Sequence, residues 1–199
     1  MDEETRAAIL ATAGELFASR GYRGVTMDEI ARRRGMSKRT LYQYFASKEE
    51  MADSIVAGLI AELAEAVDRA MTAGGSFQET FQRVLHSLET VLARLPMTLL
   101  EDLERHAPQI FARISAFRAQ QMRRYVALLA AAQAVGEVPR DVDPALAVDI
   151  LIAAVEEAGR PEWLRRRGLG IGELMAAIER IFLYGVCGGP IGEGERHDG

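Results

Sequence analysis

The amino-acid sequence predicts an all-α protein made of two helical parts. Apolar residues recur at helical spacing along most of the 199 residues, glycines and capping residues separate these segments, and no stretch alternates as a half-buried strand does. We predict an N-terminal three-helix domain over residues 1–47, a larger helical domain over residues 48–187, and a disordered, Gly-rich tail over residues 188–199. The helices are expected at residues 5–20, 27–34, 38–45, 48–71, 77–95, 97–106, 109–134, 144–159 and 173–187.

The segment from Val25 to Lys48 contains two short helices separated by a tight turn. Thr26 is a good N-cap, and Glu29 three residues later completes a capping box for the first helix. Gly35 ends this helix because glycine adopts the left-handed conformation without steric cost, and Ser37 caps the second helix. Two helices joined by such a short turn form a helix-turn-helix.

The second helix of this pair has one apolar face and one polar, basic face. Leu41 and Phe45 are four residues apart and share the inward side. The outward positions are Lys38, Arg39, Tyr42 and Gln43. In a helix-turn-helix the second helix enters the major groove of DNA, where arginine recognises guanine and glutamine recognises adenine. A solvated surface is the alternative for these side chains, but the caps, the turn glycine and two outward tyrosines favour DNA binding.

The charge of the chain is distributed as expected for a protein that presents one face to DNA. The whole chain has a formal net charge of −5, whereas the segment from Arg20 to Lys48 holds eight basic residues against two acidic ones. A local basic patch on an acidic protein is the electrostatic pattern of one DNA-binding face. For the run from Arg32 to Arg34, both phosphate contact and a solvated flank remain open.

Five blocks in this region resemble the N-terminal domain of TetR-family transcriptional regulators. They are Gly21-Tyr22, Val25 to Ala31, Gly35 to Ser37, Thr40 to Phe45 and Ser47 to Glu50. The resemblance covers about the first quarter of the chain and implies a DNA-binding regulator, more often a repressor than an activator. It implies base contacts by Lys38, Arg39, Tyr42 and Gln43, and phosphate contacts by Thr26, Thr40, Tyr44 and Lys48, with Ser37 at the start of the reading helix.

The last two long helices carry apolar residues around most of their circumference, and such helices must be covered on two sides. Residues 144–159 and 173–187 can therefore pair across a two-fold axis as a four-helix bundle, or they can lie deeply buried within a monomer. The family resemblance favours the first alternative, because TetR-like proteins dimerise through their last two long helices. A two-fold homodimer in turn implies a palindromic DNA operator.

The resemblance also implies a cavity for a small effector molecule among the middle helices. An apolar or amphipathic ligand bound there would change the spacing of two DNA-binding heads and release the operator. Simple core packing is the alternative role for each candidate residue. The candidate lining residues are Phe81, Leu85, Met97, Leu100, Glu101, Phe111, Phe117, Gln121, Met122, Tyr125 and Trp163.

Other patterns in the chain give little support for catalysis. Asp102 and His106 share a helix face near Glu101, but no third metal ligand follows at a diagnostic spacing. The segment from Gly168 to Gly172 lacks the strand that a dinucleotide-binding loop needs, so we interpret it, together with the preceding Arg165 to Arg167, as a solvated loop. We predict no catalytic site, no cofactor and no metal. The alternatives are a helical module for protein contacts and a small metal-dependent enzyme.

The composition favours a cytoplasmic protein. Cys187 is the only cysteine, which excludes an intrachain disulfide bond and favours a reducing compartment. The N-terminal residues do not form a signal-peptide pattern, and no apolar run approaches the length of a membrane span. We therefore expect a cytosolic protein with no membrane partner.

Overall fold

The computed structural model describes residues 2–92 and 97–186, and these residues form ten α-helices and no strand. The helices are α1 (Glu3–Arg20), α2 (Met27–Arg34), α3 (Lys38–Tyr44), α4 (Lys48–Thr72), α5 (Phe77–Leu92), α6 (Met97–His106), α7 (Pro108–Val135), α8 (Pro144–Ala158), α9 (Pro161–Arg167) and α10 (Ile171–Val186). The predicted all-α class is confirmed. None of the described helices combines the length and the apolar character needed to cross a bilayer.

Capping chemistry explains where the helices begin. The helix α1 starts two residues before the predicted position because the Asp2 carboxylate accepts hydrogen bonds from the backbone amides of Glu4 and Thr5. Asp143 caps α8 in the same way, and Pro144 occupies the first turn, where its missing amide costs nothing. The predictions for Cys187, for the tail and for residues 93–95 lie outside the described residues.

The short helix α9 replaces a loop that the sequence analysis predicted at Arg165 to Arg167. Pro161 lies in its first turn, and Gly168 ends it at φ 65° and ψ 30°, in the left-handed conformation. That prediction was wrong because seven residues are too few to establish a helical period, although both punctuating residues are visible in the sequence. The loop before α10 is reduced to residues 168–170.

The first of two compact units, called the N-terminal unit below, contains residues 2–65, 90–92 and 97–118 among those described. In it, α1–α3 pack with parts of α4, α6 and α7. Its core includes residues from all of these elements, such as Ile9, Ile30, Leu41, Met51 and Leu103, each at most 1 % exposed. This unit extends beyond the predicted domain boundary at residues 47 and 48, because α4 and α6 supply apolar side chains that the three small helices cannot supply alone. The division of function between a DNA-binding domain up to residue 47 and an effector-binding and dimerisation domain from residue 48 stays a prediction.

The second compact unit, called the C-terminal unit below, contains residues 66–89 and 119–186 among those described. Its buried apolar residues include Val67, Leu129, Val148 and Phe182. The Arg83 guanidinium of α5 donates hydrogen bonds to the carbonyl groups of residue 70, at 3.3 Å, and residue 74, at 2.7 Å. The first bond satisfies a carbonyl that the end of α4 leaves unpaired, and the second holds the turn that leads into α5.

Candidate nucleic-acid interface and internal cavity

Two side-chain caps and one glycine determine the turn between α2 and α3. The Thr26 hydroxyl accepts a hydrogen bond from the backbone amide of Glu29 at 3.3 Å. Gly35 ends α2 at φ 71° and ψ 31°, in the left-handed conformation. The Ser37 hydroxyl accepts a hydrogen bond from the backbone amide of Thr40 at 3.0 Å and so starts α3. Both predicted caps are confirmed, and residues 35–37 alone separate the two helices, as in a helix-turn-helix.

The buried side of α3 determines what its other sides present to solvent. Leu41 is fully buried, Phe45 is 1 % exposed, and both lie in one core cluster with Ile30 of α2. All four predicted base-reading side chains are exposed: Lys38, Arg39, Tyr42 and Gln43. The exposed fraction of Tyr42 is 49 %, so its ring is available to a partner. The core therefore orients a basic, aromatic surface of α3 outward.

Most of the predicted phosphate-binding hydroxyls lie at helix N-termini. Thr26 is exposed immediately before α2. The hydroxyl oxygens of Ser37 and Thr40 are 2.8 Å apart at the start of α3. Free backbone amides at a helix N-terminus attract phosphate oxygens, so these hydroxyls are in a suitable environment. Tyr44, near the other end of α3, is half-buried.

Lys38 is paired with an acidic neighbour on the same surface. Its Nζ lies 2.5 Å from Oδ1 of Asp28, and both side chains are more than half exposed. An exposed pair of this kind contributes about 0–1 kcal/mol to stability. Lys38 can therefore exchange Asp28 for a DNA group at little cost, whereas the Asp28 carboxylate itself opposes the approach of phosphate.

Lys48 is engaged within the protein, although the family resemblance implies a phosphate contact for it. Its Nζ donates hydrogen bonds to the carbonyl groups of Tyr22, at 2.9 Å, and Val25, at 3.0 Å, and lies 4.3 Å from the centroid of the Tyr22 ring. Burial lowers the pKa of Lys48, and the nearby Asp102 carboxylate partly opposes this shift. Lys48 thus joins the start of α4 to the turn between α1 and α2, and its phosphate contact stays a prediction.

Asp102 of α6 supports the same turn. Its Oδ2 accepts a hydrogen bond from the backbone amide of Arg23 at 2.7 Å, and a Cβ atom at Gly21 would lie 3.0 Å from that oxygen. His106 Nε2 lies 3.5 Å from Oδ1 of Asp102. Glu101 does not complete a metal site with this pair, since the residues that the structure describes contain no group of three or more His, Cys, Asp or Glu arranged to hold a metal.

The C-terminal unit encloses an apolar cavity of about 20 Å³ among four helices. The helix α5 contributes Phe77, Phe81, Val84, Leu85 and Leu88. The other lining residues are Tyr125, Leu128 and Leu129 of α7, Val148 and Leu151 of α8, and Phe182 of α10. This volume has room for about one water molecule, so a larger ligand requires the helices to move apart.

The predicted lining residues are divided between the two units. Phe81, Leu85 and Tyr125 line the cavity. Leu100 is buried in the N-terminal unit, which also contains the half-buried Glu101, Phe111 and Phe117. In the C-terminal unit Gln121 is buried, Met122 and Trp163 are half-buried, and none of these three residues lines the cavity. The side chain of Met97 is not among those that the structure describes.

The cavity walls contributed by α8 and α10 are not predicted from the sequence. Val148, Leu151 and Phe182 close the cavity from these two helices, and the rings of Phe81 and Phe182 stack with their centroids 4.8 Å apart. The sequence signal that could have indicated them is the apolar surface around most of the circumference of both helices. Each helix is apolar on two sides, because one side lines the cavity and another side is exposed to solvent.

Tyr125 is the polar member of the cavity lining. Its hydroxyl oxygen is buried and has no hydrogen-bond partner among residues 2–92 and 97–186. Burial raises the pKa of Tyr125 to about 12, although the charge of Arg124 partly opposes this shift. A buried hydroxyl group without a partner lowers the free energy of unfolding by about 1–3 kcal/mol. A group that accepted its hydrogen bond would remove this cost.

A compact helix-turn-helix with an exposed basic and aromatic second helix defines a DNA-binding protein. Residues 9–55 match the family model described as bacterial regulatory proteins, tetR family. Residues 9–55 therefore form a TetR-type DNA-binding domain, and the relatives and solved structures that the chain resembles are transcriptional regulators. The described helices continue this N-terminal match with the helical C-terminal domain of that family.

Comparison with known proteins extends the similarity to most of the chain. It is 27 % identical over 180 residues to the uncharacterized HTH-type transcriptional regulator YvaF of Bacillus subtilis, a match that covers 89 % of this chain and 93 % of YvaF. It is 29 % identical to the transcriptional repressor KstR2 of Rhodococcus jostii, over 73 % of this chain and 74 % of KstR2. A regulator from Saccharomonospora viridis, solved in complex with choline, shares the fold with a TM-score of 0.80 at 18 % identity, over 93 % of this chain and 98 % of that one.

Proposed function

We propose that this protein is a homodimeric transcriptional repressor that binds a palindromic operator and leaves it when a small molecule binds. The observation that carries the proposal is the exposed surface of α3, which presents Lys38, Arg39, Tyr42 and Gln43 from a turn fixed by two caps. The repressor named KstR2 among its relatives supports the sign of regulation. Because operator DNA is the proposed partner, we expect the protein to work in the cytoplasm.

In this proposal the exposed residues of α3 read bases in the major groove. Arg39 is suited to a bidentate contact with guanine, and Gln43 to a contact with adenine, each contributing about 1–3 kcal/mol of discrimination. Tyr42 adds an aromatic surface next to them. Thr26, Ser37, Thr40 and Tyr44 are the proposed phosphate-contacting group around the two short helices, and such contacts position the protein without reading sequence.

An apolar surface on α8 and α10 supports the homodimer. Leu146 and Ile150 of α8 are 57 % and 59 % exposed, and Ile181 and Tyr184 of α10 are 75 % and 63 % exposed. Leu146 and Ile150 are four residues apart and lie on one helix face, as do Ile181 and Tyr184, three residues apart. Burial of such large apolar side chains would stabilise a four-helix bundle formed with the same helices of a second chain.

A ligand-responsive equilibrium completes the proposal. One form would hold the two α3 helices at the spacing of half-sites about one helical turn apart, roughly 34–36 Å, and the other form would not. A ligand with a higher affinity for the second form releases DNA, through a coupling free energy of about 1–3 kcal/mol. The cavity in the C-terminal unit is the candidate site, and the choline complex of the regulator from Saccharomonospora viridis supports a small-molecule effector.

The test is a mobility-shift titration of the DNA upstream of its own gene with full-length protein. The variants Arg39→Ala and Tyr42→Ala should lose sequence-specific binding, with a fall in affinity of about tenfold or more relative to competitor DNA. The variant Arg113→Ala is the matched control, because it removes one exposed arginine that lies on α7 and forms a salt bridge with Asp53 of α4. If both α3 variants shift the DNA as the control does, α3 does not read DNA, and the helical module for protein contacts becomes the better account.

A further inference from the structure

The cavity in the C-terminal unit has an apolar surface, and only one of the residues that line it carries a polar side-chain group. Ten of its eleven residues are Phe, Leu or Val, and the eleventh is Tyr125. The hydroxyl oxygen of Tyr125 is buried and without a hydrogen-bond partner among the described residues. Phenylalanine at this position would give the same apolar surface without a buried, unpaired hydroxyl group, so the hydroxyl group needs a reason.

A single trapped water is a poor partner for this hydroxyl. A cavity of about 20 Å³ has room for one water, but a buried water usually makes two to four hydrogen bonds with polar groups. The other ten side chains of the lining offer none. The partner that fits is therefore a larger molecule, which opens the cavity as far as the Tyr125 hydroxyl and brings its own apolar surface to the remaining walls.

The lining also constrains the charge of that molecule. It contains no Lys, Arg, His, Asp or Glu that could pair with an ionised group. An ion moved from water into such surroundings loses its hydration without gaining a counter-charge, which is very unfavourable. A neutral hydrogen-bond acceptor loses much less and gains the Tyr125 hydroxyl as donor.

We propose that this cavity takes an uncharged, mainly apolar molecule with one carbonyl or ether oxygen, and that this oxygen accepts a hydrogen bond from the Tyr125 hydroxyl. This inference rests on the proposed function, since it names the chemical class of the effector. It excludes carboxylates and quaternary ammonium ions as ligands of this site. Specificity comes from the single donor, and affinity comes from the apolar walls.

A molecule of this kind acts on α10 because the cavity must open to receive it. The rings of Phe81 on α5 and Phe182 on α10 stack at 4.8 Å with an angle of 17° between their planes, and a ligand must part them. Ile181, next to Phe182, lies on the exposed apolar face of the same helix. A displacement of α10 from the cavity side therefore changes the surface proposed for the homodimer.

The test measures binding of four matched naphthalene probes to the full-length protein by equilibrium dialysis, without DNA. The probes are 2-acetonaphthone, which has a neutral acceptor; 2-isopropylnaphthalene, which has none; 2-naphthoate, an anion; and trimethyl(2-naphthyl)ammonium, a cation. We expect 2-acetonaphthone to bind about tenfold more tightly than 2-isopropylnaphthalene, and more tightly than either ion. The variant Tyr125→Phe should remove the preference for the ketone over the hydrocarbon.

Two further variants locate the effect. Tyr22→Phe makes the same chemical change in the core of the N-terminal unit and should leave the preference at its wild-type value. Leu88→Phe adds volume at the cavity wall and should weaken binding of both neutral probes at least tenfold. Equal binding of ketone and hydrocarbon, tighter binding of either ion, no binding of any probe, or an unchanged preference in Tyr125→Phe each overturns the inference. Because no DNA is present, the result stands apart from the mobility-shift test of the proposed function.

Discussion

The carboxylate of Asp102 accepts a 2.7 Å hydrogen bond from the backbone amide of Arg23, across 79 positions of sequence. The bond connects α6 to the turn between α1 and α2, which leads into the helix-turn-helix. Lys48 binds two carbonyl groups of the same segment, at Tyr22 and Val25, so the short connection between α1 and α2 is held from α4 as well. The position of the DNA-reading surface within the N-terminal unit therefore depends on side chains from outside the three small helices.

The variant Asp102→Ala should lower the free energy of unfolding by about 1–3 kcal/mol, because it removes the acceptor of the Arg23 amide. Asp102→Asn should lose less, since its amide oxygen can still accept this bond. Urea titration followed by circular dichroism measures the difference. Asp53→Ala serves as the control, because it breaks an exposed salt bridge to Arg113 and should cost no more than about 1 kcal/mol. Equal stability of Asp102→Ala and the wild type would show that the bond to Arg23 contributes nothing.

Replacement by methionine should affect stability at Lys48 and DNA binding at Lys38. Lys48→Met leaves the carbonyl groups of Tyr22 and Val25 without their donor, so the free energy of unfolding should fall by about 1–3 kcal/mol. Lys38→Met removes an exposed charge, so stability should stay within about 0.5 kcal/mol, while the salt dependence of DNA binding should become shallower by about one unit of slope. If Lys48→Met keeps full stability and makes the salt dependence shallower, Lys48 contacts phosphate as the family resemblance implies.

The variant Asp28→Asn should bind all duplex DNA more tightly, by a factor of about three to ten. It frees Lys38 from an exposed salt bridge and removes a negative charge beside the reading helix. The gain should shrink as the salt concentration rises, because it is electrostatic. Fluorescence anisotropy with specific and random duplexes measures it, with Asp53→Asn on α4 as a charge-matched control outside α2 and α3. A gain of the same size in the control would mean that net charge alone is responsible.

Tyr125 should make the protein less stable at alkaline pH. The unfolded chain releases the tyrosine proton near pH 10, whereas burial raises the pKa of Tyr125 to about 12 in the folded protein. Between pH 10 and pH 12 the unfolded chain ionises this tyrosine while the folded protein keeps it neutral, so the free energy of unfolding falls as the pH rises through that range. The variant Tyr125→Phe lacks this titrating group, so its free energy of unfolding should fall less steeply than that of the wild type over the same range in urea titrations. Parallel pH profiles for the two proteins would contradict the assignment of a buried hydroxyl.

The local parts of the fold are predictable from the sequence, and the long-range parts are not. Thr26, Gly35 and Ser37 act on neighbours within a few residues, so the turn between α2 and α3 can be predicted from residue types alone. The bonds from Asp102 and Lys48 to the turn between α1 and α2 join residues far apart in sequence, and a charged residue in a helical pattern gives no sign of such a partner.

The residues around the cavity also divide into those that the sequence predicts and those that it does not. Phe81, Leu85 and Tyr125 are apolar or aromatic residues on helices expected to surround a ligand, and they do line a cavity. Leu100 has the same pattern but packs into the N-terminal unit, because helical periodicity identifies a buried face without identifying what covers it. For the same reason the periodicity of α8 and α10 did not separate their cavity side from their exposed side.

The central claim is that two copies of α3 read a two-fold symmetric DNA site. The most direct measurement is selection of bound sequences from a random duplex pool by the purified full-length protein. We expect an enriched palindrome whose half-sites are centred about one helical turn apart, and we expect Arg39→Ala to relax the enrichment at one base position in each half. Enrichment of no sequence, or of a single half-site without a symmetric partner, would contradict the claim.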